Sequence, residues 1–464
     1  MSHSQTNRFL TGPLGPTYAR TALPIILVMS MNGFLTVADA LFLGHYVGAD
    51  ALAAVTLVFP IYMLMIALAT LVSSGMSSAL ARRLGASRFE DARAVFATAH
   101  GLSLICGAAL IAVFAAFGDA ATLALADGDR ALAQMGKTYL HITVAMSPLM
   151  FILSVQSDAL RNEGRVGLMA GMSVLISLLN VVCNYVLIAV LDMGVAGSAL
   201  GTAMAQGFAL ITLVVFRVIG QTRLRLPAPG AMAALRGGRE ILALGAPQSL
   251  SFLGIALGSM AIIAALQWTG TPQYEETVSA YGIITRVLTF TFLPLLGLSH
   301  AMQTITGNTF GAGMFGRVDH GLRIAVVTAG VYCAVTQAVL MTAAGTIGAA
   351  FTSDAQVIAE VARILPQIVL LFFISGPLMM ISSHFQSIGD ARRAAILGLS
   401  KTYLFSLPLT AVMTMQLGEP GIWLASPASE ALLLGLTVLV LASRARGGPY
   451  RWGLFHSRTA QVMS

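Results

Sequence analysis

The chain reads as twelve apolar segments separated by short polar punctuation. They lie near residues 20–44, 51–80, 93–117, 133–157, 166–190, 195–219, 240–267, 278–305, 322–350, 357–385, 395–416 and 421–442. Each is close to the roughly 20 residues that a helix needs to cross the hydrocarbon core of a bilayer. Apolar and polar positions do not alternate in twos, which excludes a membrane β-barrel. The pattern predicts an all-α integral membrane protein with twelve transmembrane helices. The polar opening stretch MSHSQTNRFLTGPLGP lacks the short apolar core of a cleaved signal, so the run from Thr21 is expected to be a retained span.

Composition agrees and narrows the function. Of 464 residues, 57% are hydrophobic and 10% charged, against about 25% charged in a soluble domain. An ordinary soluble enzyme, a disordered chain and a fibrous one are excluded. Cys106, Cys183 and Cys333 lie inside apolar runs with no CxxC or Cys/His spacing, so neither disulfides nor zinc are implied.

The net charge of +7 could suggest an anionic partner. Its distribution says otherwise. With the N-terminus placed in the cytoplasm, 22 of the 26 basic residues fall on the inner side, including Arg82, Arg83, Arg161, Arg165, Arg217, Arg223, Arg444 and, just inside the eleventh span, Lys401. Outside lie Arg130, Lys137 and Arg363, and Arg286 falls within span eight. The asymmetry predicts a multi-pass membrane protein with both termini cytoplasmic; a bacterial plasma (inner) membrane is the expected location. Nucleic acid is not an expected partner.

An internal repeat divides the chain. Leu84-Gly85-Ala86 is echoed by Phe310-Gly311-Ala312, 226 residues later, Gly164 by Gly389 at 225, and Pro24 by Pro247 at 223. These offsets predict two six-helix lobes in parallel orientation, one of the known transporter plans, with the substrate site between the halves. The expected boundaries are 1–219 for the N-lobe (spans one to six), 220–238 for a Pro/Gly-rich cytoplasmic linker and 239–464 for the C-lobe (spans seven to twelve) with its tail.

Ionisable side chains inside a membrane are costly and usually functional. Three lie within the spans: Asp39, Arg286 and Glu430. Asn32, Thr36 and Asp39 share one helical face of span one. Ser173, Ser177, Asn180 and Asn184 form a polar stripe on span five, and Ser198, Thr202 and Gln206 one on span six. Lipid would penalise such stripes, so they are expected to converge on an interior cavity. A carboxylate with amide and hydroxyl oxygens suits a hard cation and equally a proton carrier. The plainer alternative is that Asp39 snorkels at the end of its span and the small polar residues are packing glue. Arg286 and Glu430 sit at similar depths and would form a buried ion pair; otherwise Glu430 is a second titrating or substrate-binding carboxylate. Pro24, fifteen residues before Asp39, could kink span one. No Gly-x-x-x-x-Gly-Lys-Ser/Thr loop is present, so energy for uphill transport is expected from an ion gradient rather than nucleotide.

Taken together, these residues resemble the multidrug and toxic compound extrusion (MATE) family along nearly the whole chain. The likeness rests on Ala38-Asp39-Ala40-Leu41-Phe42-Leu43-Gly44, Leu52-Ala53-Ala54-Val55, Arg83-Leu84-Gly85-Ala86 and Leu160-Arg161-Asn162-Glu163-Gly164. It continues through Asn180 to Asn184-Tyr185, Gly194-Val195-Ala196-Gly197-Ser198-Ala199, Gly297-Leu298-Ser299-His300-Ala301, Gly307-Asn308-Thr309-Phe310-Gly311 and Phe385-Gln386-Ser387-Ile388-Gly389.

The resemblance implies two lobes related by pseudo-twofold symmetry, a V-shaped central cavity and antiport of amphipathic, often cationic, drugs against protons or sodium. By the family pattern Asp39 is the cation-coupling carboxylate, with Asn180, Asn184 and Thr202 as partners. Asp39, Asn180 and Asn184 would be metal ligands only if sodium is the coupling ion. Asn32, Thr36, Gln206, Glu430 and Arg286 are expected to line the substrate cavity. Spans seven and ten carry no acid where sodium-coupled relatives have one, which suggests the branch relying on the N-lobe carboxylate. The expectations are a monomeric transporter, not an enzyme, with no cofactor beyond the coupling H+ or Na+. A lipid-linked oligosaccharide flippase of the same superfamily is the alternative; it should present basic residues to a pyrophosphate, and only Arg286 lies in a span.

Overall fold

In hydrocarbon only a helix satisfies every backbone N–H and C=O within its own segment, and each apolar run folds accordingly. The computed structural model describes residues 7–126, 129–219, 222–271, 273–447 and 450–456, without the side chains of Asn32, Thr36, Val37, Ala40 and Ala49. Among the described residues, ten helices are long and apolar enough to cross a membrane, or twelve when two bent pairs are each taken as one span.

The spans are α1 (Leu14–Phe42), α2 (Phe59–Gly85), α3 (Phe89–Leu125), α4 (Arg130–Ala145 with Ser147–Asn162), α5 (Val166–Asn184) and α6 (Gly194–Val218). The second half repeats them as α7 (Gly238–Thr269), α8 (Tyr274–Gly311), α9 (Phe315–Thr342), α10 (Ala355–Ile368 with Phe372–Ser387), α11 (Ala391–Leu399, resuming as Leu407–Leu417) and α12 (Glu419–Arg446). Short helices Ala49–Leu57, Pro229–Ala233 and Ala344–Phe351 lie in the connections, and Tyr450–Arg451 pairs with Phe455–His456 as a small antiparallel ribbon.

Three π-helical segments interrupt the regularity. Leu43–Val47 extends α1, Tyr185–Val190 extends α5, and Ser400–Ser406 joins the two parts of α11. Their hydrogen bonds reach one residue further than in an α-helix, as from the Gly48 amide to the Leu43 carbonyl (3.0 Å) and from Leu191 to Val186 (2.9 Å). Such turns are rare and collect at functional sites.

The repeat has a structural basis. Both α4 and α10 bend by 49° at a break, each being the fourth span of its half. At the α10 break, Gln337 of α9 makes good the lost backbone bonds. Its Nε2 donates to the Leu370 carbonyl and its Oε1 accepts from the Phe373 amide, both at 2.8 Å. Gly164 and Gly389 end α4 and α10 at φ +80° and +88°. The following amides, Arg165 and Asp390, reach back to Leu160 and Phe385 at 2.9 Å, the six-residue closure of a glycine C-cap.

Packing divides the described residues into two units that do not follow chain order. One comprises Met1–Thr11 and Leu23–Phe252, the other Gly12–Ala22 and Leu253–Ser464. Two helices therefore change unit along their length. The start of α7 packs into the first unit because Gly75 of α2 and Gly245 of α7 let the backbones touch. A Cβ at Gly75 would lie 1.9 Å from the Ile241 carbonyl oxygen, and one at Gly245 1.8 Å from that of Leu71. The start of α1 belongs to the second unit. There Arg317 Nη1 donates to the Gly12 carbonyl at 2.8 Å, and buried Tyr18 packs over Gly321. The first unit's core includes Met65, Leu110, Val144 and Phe151, and the second's is built around Trp423, Ile284, Ile364 and Leu365.

Candidate functional site

Asp39 lies near the end of α1, one turn before the π segment Leu43–Val47, and Asn184 is the last residue before the π segment of α5. Asn184 Nδ2 donates to Asp39 Oδ1 at 2.5 Å and to Asn180 Oδ1 at 3.2 Å. Asn180 Nδ2 in turn donates to Thr202 Oγ1 of α6 at 2.8 Å. The four residues named from the sequence as the coupling set thus form one hydrogen-bonded chain across α1, α5 and α6. Asn180 and Asn184 are buried, and Asp39 and Thr202 half-buried.

Small residues on α6 make this approach possible. A Cβ at Gly201 would stand 2.1 Å from Asn184 Oδ1, and one at Gly197 3.1 Å from the Leu187 carbonyl. Asn184 Oδ1 is buried with no hydrogen-bond partner among the described residues, so the cluster keeps one polar atom in reserve.

The remaining expectations divide. Ser177 Oγ turns back onto the Ser173 carbonyl at 3.0 Å, so the lower half of the α5 stripe serves its own helix. Gln206 is half-buried one turn beyond Thr202 and has no part in the hydrogen-bonded chain. The side chains of Asn32 and Thr36 lie outside the described residues. Pro24 sits inside α1, which stays helical through it, two residues beyond the point where the chain changes unit.

The expected Arg286–Glu430 pair does not form. Arg286 is exposed on α8, whereas Glu430 of α12 accepts hydrogen bonds from Lys401 of α11 and Ser375 of α10. Similar depth along two helices says nothing about the direction in which each side chain points. Lys401 stands ten residues after Ala391, where α11 begins, inside the π segment.

Several arginines counted with the loops prove buried. Arg217 donates through Nε to Gln156 Oε1 (2.5 Å) and through Nη1 to Glu163 Oε2 (3.2 Å) and the Leu224 carbonyl (2.8 Å). Glu163 Oε1 accepts the Leu224 amide at 2.8 Å, which ties the linker to α4 and α6. His100 donates through Nδ1 to the Phe96 carbonyl (2.8 Å), leaving Nε2 to accept from Gln156 at 3.0 Å. Arg161 pairs with Asp158 at 3.0 Å. In sequence, only the i,i+3 spacing of Asp158 and Arg161 could have signalled any of this.

The MatE family model matches twice, over residues 24–186 and 247–412. The matches begin at Pro24 and Pro247, the two prolines of the internal repeat. The multidrug export protein MepA of Staphylococcus haemolyticus is 22% identical over 428 residues, 91% of this chain and 92% of its own. Among solved structures, a multidrug resistance MATE family transporter of the MOP superfamily in an outward-facing conformation superposes with a TM-score of 0.83. It is 23% identical over 96% of this chain and 99% of its own. A MOP-superfamily transporter from Pyrococcus furiosus, described as having a binding pocket of reverse polarity, gives 0.84 at 24% identity, over 96% and 98%. With twelve helical spans built as two repeats, each matched by the family model, the chain belongs to the MatE family of multi-pass membrane transporters.

Proposed function

We propose that the chain is a secondary active multidrug efflux transporter that exchanges amphipathic, often cationic, compounds for protons by alternating access. Relatives named as multidrug export proteins support the substrate class. The observation that carries the coupling reading is the hydrogen bond from Asn184 Nδ2 to Asp39. A sodium ion at Asp39 would need further oxygens turned toward it. Asn184 presents a nitrogen donor to Asp39 and holds its oxygen against Gly201, an arrangement suited to a bare carboxylate that exchanges with its protonated form.

The chemistry follows from charge. An ionised Asp39 accepts a charge-assisted hydrogen bond, worth about 1.5–3 kcal/mol against about 0.5–1.5 kcal/mol for a neutral pair. Proton uptake removes that difference and loosens the tie between α1 and the α5–α6 pair. It also removes the charge that would attract a cationic drug, so proton and drug exclude one another. Pro24, which denies α1 one backbone bond, is the point where the helix would give. In this reading the protein is a monomer of the bacterial inner membrane with both termini cytoplasmic, and it uses neither nucleotide nor a resident cofactor.

The test is efflux of a fluorescent organic cation from proteoliposomes under an imposed pH gradient or an imposed sodium gradient. The pH gradient alone should drive efflux, and Asp39→Asn should insert normally yet lose it. Efflux driven only by sodium would replace the proton, and normal pH-driven efflux by Asp39→Asn would remove the mechanism.

A further inference from the structure

The second unit contains a buried carboxylate of its own. Glu430 of α12 is 5% exposed at its side chain, and its Oε1 accepts from both Lys401 Nζ and Ser375 Oγ. Its Oε2 is buried with no hydrogen-bond partner among the described residues. Lys401 is 41% exposed, so its ammonium is open on one side and meets a nearly dry carboxylate on the other. It projects from the π segment Ser400–Ser406, as Asn184 adjoins the π segment of α5. Close packing walls the site: a Cβ at Gly376, next to Ser375, would meet Cys333 Sγ and the Ala329 carbonyl oxygen, each at 2.8 Å.

We infer that Glu430 and Lys401 form a second proton-binding site, in which Lys401 is both the resting counter-ion of Glu430 and its proton relay. Lys401 Nζ passes one of its three protons along the existing hydrogen bond to Glu430 Oε1, giving a neutral amine and a neutral carboxylic acid. Nζ then takes up a proton delivered as hydronium on its open side, releasing water, and the ammonium, no longer held by an anion, leaves the acid. The net change is one proton bound. A metal ion suits the site poorly: the Glu430 carboxylate and Ser375 Oγ are three oxygens, against the six or more that hard cations gather.

Among the described residues, Lys401 is the one ion-pair partner of Glu430. Cys333 of α9 lies within the field of both groups. Tyr403 shares the π segment, and the rest of α11 beyond it, Leu407–Leu417, has no ionisable residue. Glu360 and Arg363 of α10 are engaged with each other, and Arg363 also holds Glu419, eleven residues before Glu430 on α12. At the other end, Arg392, Arg393, Arg444 and Arg446 lie at or beyond the helix margins, Arg393 being paired with Asp390. His384 is nine residues past Ser375 on α10, and the ribbon residues Tyr450 and Arg451 follow the end of α12.

This extends proton coupling to the second unit, and its test uses no drug. Infrared difference spectra of the purified full-length protein, titrated with pH, report the carbonyl stretch of protonated buried carboxyls. In an Asp39→Asn background, one component should persist and disappear on adding Glu430→Gln. Lys401→Met should keep that component but move its midpoint by about 1–3 pH units, and Lys401→Arg should move it back. If Glu430→Gln alone misfolds, the Lys401→Met/Glu430→Gln pair, which removes both charges, supplies the reference. A spectrum unchanged by the loss of Glu430, or a midpoint indifferent to Lys401, overturns the inference even if pH-driven efflux holds.

Discussion

The Cβ that Gly201 lacks would stand 2.1 Å from Oδ1 of Asn184. This contact lies inside the first unit, one turn from Gly197, which admits the α5 backbone in the same way. The room left by one missing methyl group thus decides whether the Asn184 amide can face Asp39.

Replacing Gly201 with alanine should push the Asn184 side chain away and break its bond to Asp39 while leaving the helices in place. Losing a hydrogen bond to a charged group costs about 1.5–3 kcal/mol, or roughly 10-fold to 100-fold in a coupled rate. Transport assays on reconstituted Gly201→Ala should show that loss at normal membrane yield. Wild-type rates would mean that the amide does not act on Asp39.

Gly75 and Gly245 serve a different purpose, since each approaches a backbone carbonyl of the other helix rather than a side chain. Backbone cannot rotate aside as a flexible side chain can. Either alanine variant should therefore destabilise the first unit by the upper end of the usual overpacking range, about 3 kcal/mol. Thermal unfolding in detergent would register this as a lower midpoint, with broadened gel-filtration peaks. A midpoint equal to wild type would show that α2 and the start of α7 need not touch.

Arg217 and Glu163, whose side chains are 0% and 1% exposed, should matter for stability alone. Glu163→Gln leaves a buried guanidinium without its anion, a change worth about 3–5 kcal/mol in comparable pairs. The double variant Glu163→Gln/Arg217→Met removes both charges and should regain most of the lost thermal stability. Its pH-driven efflux, once folded, should equal wild type. A double variant as unstable as the single one would assign the role to Gln156 and Leu224 instead.

Much of this protein was written in the linear order of its residues. Length, hydropathy and arginine asymmetry are properties of the chain against a bilayer, so they predict twelve spans without any tertiary information. The repeat was legible for a similar reason: Gly164 and Gly389 each end a helix at positive φ, a local demand that glycine meets wherever it falls. The polar residues of span five were also visible. Their division was not, because Ser177 binds its own helix while Asn180 and Asn184 reach across to α6 and α1.

The pairing of charges belonged to the tertiary structure. Arg286 and Glu430 share a depth, yet Lys401 reaches Glu430 from a π-helical stretch, whose extra residue per turn no hydrophobic pattern reveals. Arg217 looks like a loop charge in sequence and is buried against Gln156, Glu163 and Phe96. The exchange of helix ends between units depends in part on the glycines at 75 and 245, whose significance appears only when two backbones meet. A membrane imposes its constraint on each helix separately, so the spans can be read one by one. Which side chains meet depends on azimuth and close approach between helices, and those are properties of the packed fold.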